Sequence, residues 1–189
     1  MKNRREFLQK SALGLAGLVA APSWLQGTPA LISSLNKPLS TINGVNIGCI
    51  TYSFRSMPDQ SAEATLKYVV DSGISSIELM GDPAESFAGM PAPTFNRMRT
   101  FQLGGKQRRG ESLTADETKE LADLQAQAAD YSKAVASWRV NADMKKFEQL
   151  RKMYKDAGVS IYAFKPAAFG VNNSDLEVAY GMKAAKALG

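Results

Sequence analysis

Histidine is absent from the 189 residues of the chain, and cysteine occurs only once, as Cys49. Histidine is the commonest metal ligand and the usual general base near neutral pH. Its absence therefore weighs against a complete hydrolase triad or a zinc site within these residues. A single cysteine excludes an intramolecular disulfide, so stability must come from a packed core. Cys49 lies in an apolar run, and we interpret it as a small core residue rather than a reactive thiol.

The net positive charge is small outside the first residues. Residues 1–43 contribute +4 of the formal net charge of +5, which leaves +1 for the rest of the chain. A nearly neutral body offers no broad basic surface to nucleic acid, so we expect no nucleic-acid partner. The GxxxxGK[ST] spacing of a phosphate-binding loop is also absent, so the glycine pair at 104–105 does not predict a nucleotide site.

The first 30 residues have the pattern of an export signal. Arg4 and Arg5 are followed by a phenylalanine and a leucine, and then by an apolar stretch at 12–21. That stretch is too short to span a bilayer, so no stable membrane span is expected. The arginine pair resembles a twin-arginine signal, which implies the twin-arginine export machinery as a partner and a periplasmic or otherwise exported protein. The alternative is a basic amphipathic helix of the mature protein. It is less favoured, because the apolar stretch has no polar face. We predict a signal at 1–30 and a linker at 31–43.

The body of the chain alternates predicted strands with predicted helices. Three short apolar runs, bounded by turn residues, predict the strands, and these lie at 45–52, 74–80 and 159–164. Caps and apolar periodicity predict helices at about 61–72, at 142–157 with Asn141 as N-cap, and after a capping box formed by Ser174 and Glu177. Strands that are mostly apolar are typical of a parallel sheet covered by helices, which predicts an α/β fold.

Residues 82–141 interrupt this alternation. They begin with an irregular, proline-containing stretch and a basic run at 97–109, which we interpret as a solvated loop. A second capping box, Thr114 with Glu117, then starts a long helix that runs to about Trp138. We predict an insertion after the second strand; in a (β/α)₈ barrel, that loop opens at the carboxyl ends of the strands, where active sites lie.

Three ordered segments carry a family resemblance. They read IGCITYSFR at 47–55, GISSIELM at 73–80 and GVSIYAFK at 158–165. Together they resemble the first three strands of the xylose isomerase-like TIM barrels, also called the sugar phosphate isomerase/epimerase family, and the leader and insertion resemble an exported subgroup. The resemblance implies that 44–189 is a partial (β/α)₈ barrel with a helical insertion at 82–141, from an N-terminal fragment of a longer protein.

The same resemblance implies a metal-dependent isomerase or epimerase that acts on a sugar or sugar phosphate by proton or hydride transfer next to a carbonyl. A divalent metal (Mn, Co, Zn or Mg) is expected on two Glu, an Asp and a His of later strands, beyond Gly189. The catalytic residues are therefore unknown, and the 189-residue chain alone is expected to hold no metal and to be inactive. Two alternatives stay open: an exported sugar-binding barrel without catalysis, and, less favoured, an abasic-site endonuclease-like enzyme.

Four residues near strand ends are candidate substrate-binding groups. Tyr52 and Phe54 lie at the carboxyl end of the first predicted strand. Each either lines a substrate pocket or packs at its rim. Glu78 is a carboxylate within an apolar strand, where burial is costly unless the charge is paired. It either contacts a sugar in a pocket or forms a buried ion pair with a basic residue of another strand. Lys165 ends the third strand, in a position to bind a sugar oxygen or phosphate or to form a surface salt bridge. Asp82, after the second strand, is either a ligand or a loop cap.

Overall fold

The structure describes residues 37–189, which contain five strands and six α-helices. The structure is a computed structural model. Its elements are, in chain order, β1 (Thr41–Ile42), β2 (Val45–Asn46), β3 (Cys49–Ile50), a 3₁₀ helix (Thr51–Phe54), α1 (Ala62–Asp71), β4 (Ser76–Met80), α2 (Gly81–Phe87), α3 (Arg97–Arg108), α4 (Ala115–Asn141), α5 (Met144–Asp156), β5 (Ser160–Lys165) and α6 (Asp175–Leu188). The predicted export signal, with Arg4 and Arg5, lies outside the described residues.

A three-stranded parallel sheet forms the centre of this unit. Its strand order is β3-β4-β5, and both pairings are parallel. Helices connect the strands, as parallel pairing requires. The predicted α/β fold with a parallel sheet is therefore confirmed, and so are the second and third predicted strands, which are displaced by no more than two residues.

The helices cover one face of the sheet. Ile77 and Leu79 of β4 are fully buried on that face, and Ile161 and Phe164 of β5 pack against the same core. The helical side of this core is formed by buried residues of α1, α2, α5 and α6: Ala62, Val69, Ala84, Phe147, Leu150, Tyr154, Tyr180, Ala184, Ala187 and Leu188. This packing explains the apolar residues on one face of the strands, because side chains alternate between the two faces.

The opposite face of the sheet is more accessible. Side chains alternate between the two faces of a strand, so Glu78 lies on the face opposite Ile77. Its register partners are Ile50 of β3 and Ala163 of β5, and the next pair on this face is Met80 with Lys165. All of these residues are half-buried except Lys165, which is exposed. We call this set, Ile50, Glu78, Met80, Ala163 and Lys165, the open face.

The prediction of a single first strand at 45–52 is wrong. Only Cys49–Ile50 joins the parallel sheet, whereas Val45–Asn46 pairs antiparallel with Thr41–Ile42. The hairpin turns at Asn43 and Gly44, whose φ angles are 50° and 80°. Two consecutive left-handed residues make the turn that Asn-Gly favours. Residues 51–54 form a 3₁₀ helix, so the apolar run is divided among three elements.

The predicted basic loop at 97–109 is instead mostly helix α3. Asn96 caps it by accepting a hydrogen bond from the backbone N–H of Arg99. Leu103 is fully buried and packs with Leu121 and Leu124 of α4. A small core of its own therefore stabilises this helix, despite two glycines in its sequence.

The ends of the later helices agree with the prediction except at one cap. The capping boxes at the starts of α4 and α6 are both present, and α4 runs to Asn141. Asn141 is not the cap of α5, as the sequence predicted. The Asp143 carboxylate has that role and accepts from the backbone N–H of Lys145. Among residues 37–189, no helix combines the length and hydropathy needed to cross a membrane.

Candidate functional site

A cleft of about 490 Å³ opens beside the carboxyl ends of β4 and β5. Its walls come from α2, which directly follows β4, from the loop after β5, and from α4, with one residue each from α3 and α6. The lining residues are Asp82, Glu85, Met90, Arg97, Tyr131, Ser132, Lys133, Val135, Ala136, Arg139, Ala167, Asn172, Asn173 and Glu177. Ligands of parallel α/β proteins commonly bind outside the carboxyl ends of the strands, so this cleft is the candidate site.

A buried ion cluster forms the inner wall of the cleft. The Arg139 side chain of α4 lies between two carboxylates and is only 6% exposed. Its Nε lies 3.0 Å from Oε1 of Glu85 in α2, and its Nη1 lies 3.0 Å from Oε1 of Glu177 in α6. One guanidinium thus joins three helices that are distant in the sequence. We call Glu85, Arg139 and Glu177 the buried ion cluster.

Neighbouring groups complete the hydrogen bonds of this cluster. Tyr180 donates from its hydroxyl to Oε1 of Glu85 at 3.1 Å, and Asn173 donates from Nδ2 to Oε1 of Glu177 at 2.9 Å. Arg139 also donates to the carbonyl oxygen of Ala167 at 3.1 Å. No buried side-chain nitrogen or oxygen in the described part of the chain lacks a partner. The wall is therefore a fully bonded and fixed surface.

The charges of the cluster stabilise one another. Burial alone lowers the pKa of Arg139, but its hydrogen bonds to Glu85 and Glu177, together with the Glu85 charge, outweigh burial and raise that pKa. Burial likewise works to raise the pKa of Glu177, yet hydrogen bonds from Ser174, Arg139 and Asn173 bring it below its ordinary value. The pKa of Tyr180 is raised by burial and by the Glu85 charge. Glu177 and Arg139 are thus ionised at neutral pH, and Tyr180 stays a hydroxyl donor.

A second polar group forms the rim of the cleft. The Arg97 guanidinium lies over the Tyr131 ring, 5.3 Å from its centroid, and donates to its hydroxyl at 3.0 Å. Arg97 also pairs with Asp82 at 3.4 Å, while Lys133 pairs with Asp130 at 3.1 Å. These side chains are exposed or half-buried, whereas the side chains of the ion cluster are at most 10% exposed.

Two of the predicted substrate residues share the open face of the sheet. Glu78 is half-buried in the middle of β4, and Lys165 is exposed at the last residue of β5. Neither has an ion-pair partner among residues 37–189. The buried pair that was the alternative explanation for Glu78 is not formed in this part of the chain.

The other two predicted residues lie in the 3₁₀ helix after β3. The Tyr52 ring is 52% exposed, and the Arg55 guanidinium lies over it at 4.6 Å from the centroid. Phe54 is half-buried, packs against the main core and lies 5.9 Å from the Tyr68 ring. Tyr52 is thus accessible to a ligand, whereas Phe54 is engaged mainly in packing. Asp82, within the first turn of α2, lines the cleft.

The described residues do not fit a metal centre. No three His, Cys, Asp or Glu side chains come together within residues 37–189 in a way that holds a metal ion. The carboxylates of the buried ion cluster are already bonded to a guanidinium, which is itself a cation. The resemblance assigns the metal ligands to later strands, and that assignment stays a prediction.

The basic run of α3 carries little unneutralised charge. Four of its residues form ion pairs: Arg97 with Asp82, Arg99 with Glu120, Lys106 with Glu117, and Arg109 with Glu111. Paired in this way, they attract a phosphate backbone less than their number suggests.

No protein-family model, no curated protein and no solved structure matches this chain. The resemblance to the xylose isomerase-like barrels therefore stays a prediction based on the three strand segments.

The sequence did not indicate the buried ion cluster. Glu177 was predicted only as a helix cap, and Glu85 and Arg139 were not singled out. Glu85 and Glu177 lie 54 and 38 residues from Arg139 in the sequence, so no local spacing relates the three residues. The one available signal was an arginine on the apolar side of α4, four residues after the buried Val135.

Proposed function

We propose that the chain supplies the first three βα units of a (β/α)₈-barrel isomerase or epimerase that acts on a sugar or sugar phosphate. The observation that carries the proposal is the one-sided sheet. Within residues 37–189, the helices that pack on β3, β4 and β5 lie against the Ile77 and Leu79 face, and the open face carries Glu78 and Lys165.

A one-sided parallel sheet supports a barrel for two physical reasons. Parallel sheets are ordinarily covered on both faces, and in a barrel the inner face is covered by the side chains of the other strands. The edges of β3 and β5 also present backbone groups that further strands would pair with. Within such a barrel, Glu78 and Lys165 point toward the interior, and Lys165 lies at the carboxyl end where substrates bind.

The chemistry of these residues suits a polyhydroxylated substrate. The Glu78 carboxylate accepts hydrogen bonds from sugar hydroxyls, and the Lys165 ammonium donates to a sugar oxygen or a phosphate. Tyr52 supplies an accessible phenol at the same end of the sheet. Residues 37–189 lack a ligand set for the expected divalent metal, so we assign no step to it; these side chains bind and orient the substrate.

The proposal is tested by continuing the coding sequence past Gly189 and assaying the full-length protein for aldose–ketose interconversion. We expect turnover that is lost with EDTA and restored by Mn²⁺, Co²⁺ or Zn²⁺, and none from the 189-residue chain alone. Lys165→Ala is expected to lower kcat/KM about tenfold, the effect of one lost charged contact. Lys183→Ala, an exposed lysine of α6, is the matched control and is expected to have no effect.

The second candidate is an exported sugar-binding protein without catalysis. Residues 37–189 do not separate it from the isomerase, because the metal ligands that the resemblance implies are expected beyond Gly189. Sugar binding that ignores EDTA, with no turnover by the full-length protein, would select this candidate and reject the isomerase. Tight DNA binding with a steep salt dependence would instead select the endonuclease-like alternative.

We also propose export through the twin-arginine route, on the pattern of residues 1–30. Arg4→Lys with Arg5→Lys keeps the charge of the leader but removes the arginine pair, so we expect the protein to stay in the cytoplasm. The measurement is the amount of protein in periplasmic and cytoplasmic fractions. Lys2→Arg makes the reverse exchange outside the pair and is expected to leave export intact. Equal export of both variants would contradict the assignment.

A further inference from the structure

Helix α3 is attached to the rest of the protein mainly through α4. Its buried apolar side chain, Leu103, packs with Leu121 and Leu124 in a small core, and Phe95, in the loop before α3, is half-buried against the same core. No residue between 91 and 109 belongs to the main core of the described part of the chain. A segment with so few buried apolar contacts opens at a lower free-energy cost than the main core.

The other attachments of α3 to α2 and α4 are polar and accessible to water. Three ion pairs make them: Arg97 with Asp82, Arg99 with Glu120, and Lys106 with Glu117. Each pair includes a side chain that is at least 38% exposed. Exposed ion pairs contribute little stability and are screened by salt. The attachment of α3 is therefore expected to weaken as the ionic strength rises.

Glycine within α3 weakens the helix itself. Gly104 does not have positive φ, and a methyl group at this position would come no closer than 3.5 Å to a neighbouring side chain, the guanidinium of Arg108. Neither the backbone conformation nor the available space requires glycine here, whereas glycine is among the poorest helix formers. Helix α3 is thus less stable than its surroundings would allow.

The segment that contains α3 lies between two glycines in the left-handed conformation. These are Gly89, with a φ angle of 95°, and Gly110, with a φ angle of 75°. Hinges commonly lie at such element ends, where a few residues absorb the change in backbone angles. Between them, Arg97 lines the cleft and contacts Asp82 and Tyr131 of its other walls. Movement of α3 about these ends would remove the Arg97 side chain from the rim of the cleft.

We propose that α3 is a lid on the cleft beside β4 and β5, held closed by its exposed ion pairs and released by salt while the main core stays folded. Release breaks three screened ion pairs and the small core around Leu103. The buried ion cluster stays in place, because its three residues lie in α2, α4 and α6. The lid does not depend on the isomerase reaction, since it concerns only the inserted segment and the cleft.

Amide hydrogen exchange of the 189-residue chain, followed by mass spectrometry at pH 7, measures release of the lid. We expect the amides of α3 to exchange faster than those of α5, which contributes Phe147 and Leu150 to the main core. Raising NaCl from about 0.05 M to about 0.5 M is expected to speed exchange in α3 about two- to fivefold and to leave α5 unchanged. Exchange in α3 as slow as in α5, or exchange that ignores salt, would overturn the proposal.

Two substitutions are expected to move the lid in opposite directions. Asp82→Ala removes the partner of Arg97 and should speed exchange in α3 about two- to fivefold at low salt. Gly104→Ala keeps every contact but strengthens the helix, and should slow exchange about fivefold. Asp130→Ala is the control, because it breaks an exposed ion pair with Lys133 on α4 and should not affect α3. Equal effects of the two aspartate variants would contradict the role of Arg97 in closing the lid.

Thiol labelling tests whether the lid controls access to the cleft. Ala136→Cys, in a Cys49→Ser background, places the reactive thiol in the cleft lining, and an uncharged maleimide is the probe. Labelling is expected to be faster with Asp82→Ala and slower with Gly104→Ala. Ala134→Cys, at an exposed position of α4 outside the lining, should react at the same rate in all backgrounds. If exchange in α3 changes but labelling at position 136 does not, the helix moves without gating the cleft and the proposal fails.

Discussion

Arg139→Met is expected to lower the free energy of unfolding by about 3–5 kcal/mol, the cost of breaking a buried ion pair from one side. Arg139 is the only cation in contact with Glu85 and Glu177 within the described residues. Methionine keeps the apolar stem but leaves both carboxylates without a counter-charge in a buried site. The measurement is urea unfolding at pH 7 for the variant and the wild type.

The pH dependence of this loss identifies its cause. In the variant, Glu177 loses the Arg139 hydrogen bond and charge that help to lower its pKa, so it takes up a proton more readily as the pH falls and the penalty shrinks. We therefore expect a smaller difference between variant and wild type at pH 5 than at pH 7. A loss independent of pH would show that packing, rather than charge, is responsible.

Arg99→Met is the matched control for Arg139→Met. Arg99 also pairs with a carboxylate, Glu120, at 2.7 Å, but their side chains are 35% and 42% exposed. Water already solvates these charges, so the expected loss is at most about 1 kcal/mol. Equal losses for the two arginines would contradict the special role assigned to the buried ion cluster.

The features of this fold that were predicted correctly depend on local signals. The capping boxes at Ser174 and Thr114 need only residues three positions apart, and the second and third strands follow from short apolar runs bounded by turns. The hairpin around Asn43 was missed although its Asn-Gly signal is local, because the apolar run that follows suggested one continuous strand. A two-residue turn in which both residues adopt positive φ favours a hairpin, and here the hairpin takes the start of the apolar run out of the parallel sheet.

The remaining features depend on tertiary contacts. Helix α3 contains two glycines and a basic run, which by propensity suggest a loop, yet burial of Leu103 against α4 and ion pairs to that helix override propensity. The cleft requires α2, α4 and α6 to meet, and residues so far apart along the chain give no spacing to detect. For Glu78 and Lys165, the sequence indicated strand positions, whereas only the register shows that they share a face.

Phe147→Ala is expected to lower the free energy of unfolding by about 3–5 kcal/mol, because it leaves a large cavity in the main core. The Phe147 ring is fully buried, and its centroid lies 6.3 Å from that of Phe164 in β5 and 6.1 Å from that of Tyr180 in α6. One side chain of α5 thus joins the sheet to α6. Phe101→Ala, at a ring that is 68% exposed, is the control and is expected to change stability by no more than about 0.5 kcal/mol.

The same substitution tests whether the core supports the cleft. Tyr180 contacts the Phe147 ring and donates its hydroxyl to Glu85 of the buried ion cluster. A cavity beside Tyr180 therefore loosens a partner of the cluster, so the effects of Phe147→Ala and Arg139→Met should not add. We expect a coupling of at least about 0.5 kcal/mol in the double-mutant cycle. Strict additivity would mean that the core and the cleft wall are energetically independent, and that Tyr180 does not link them.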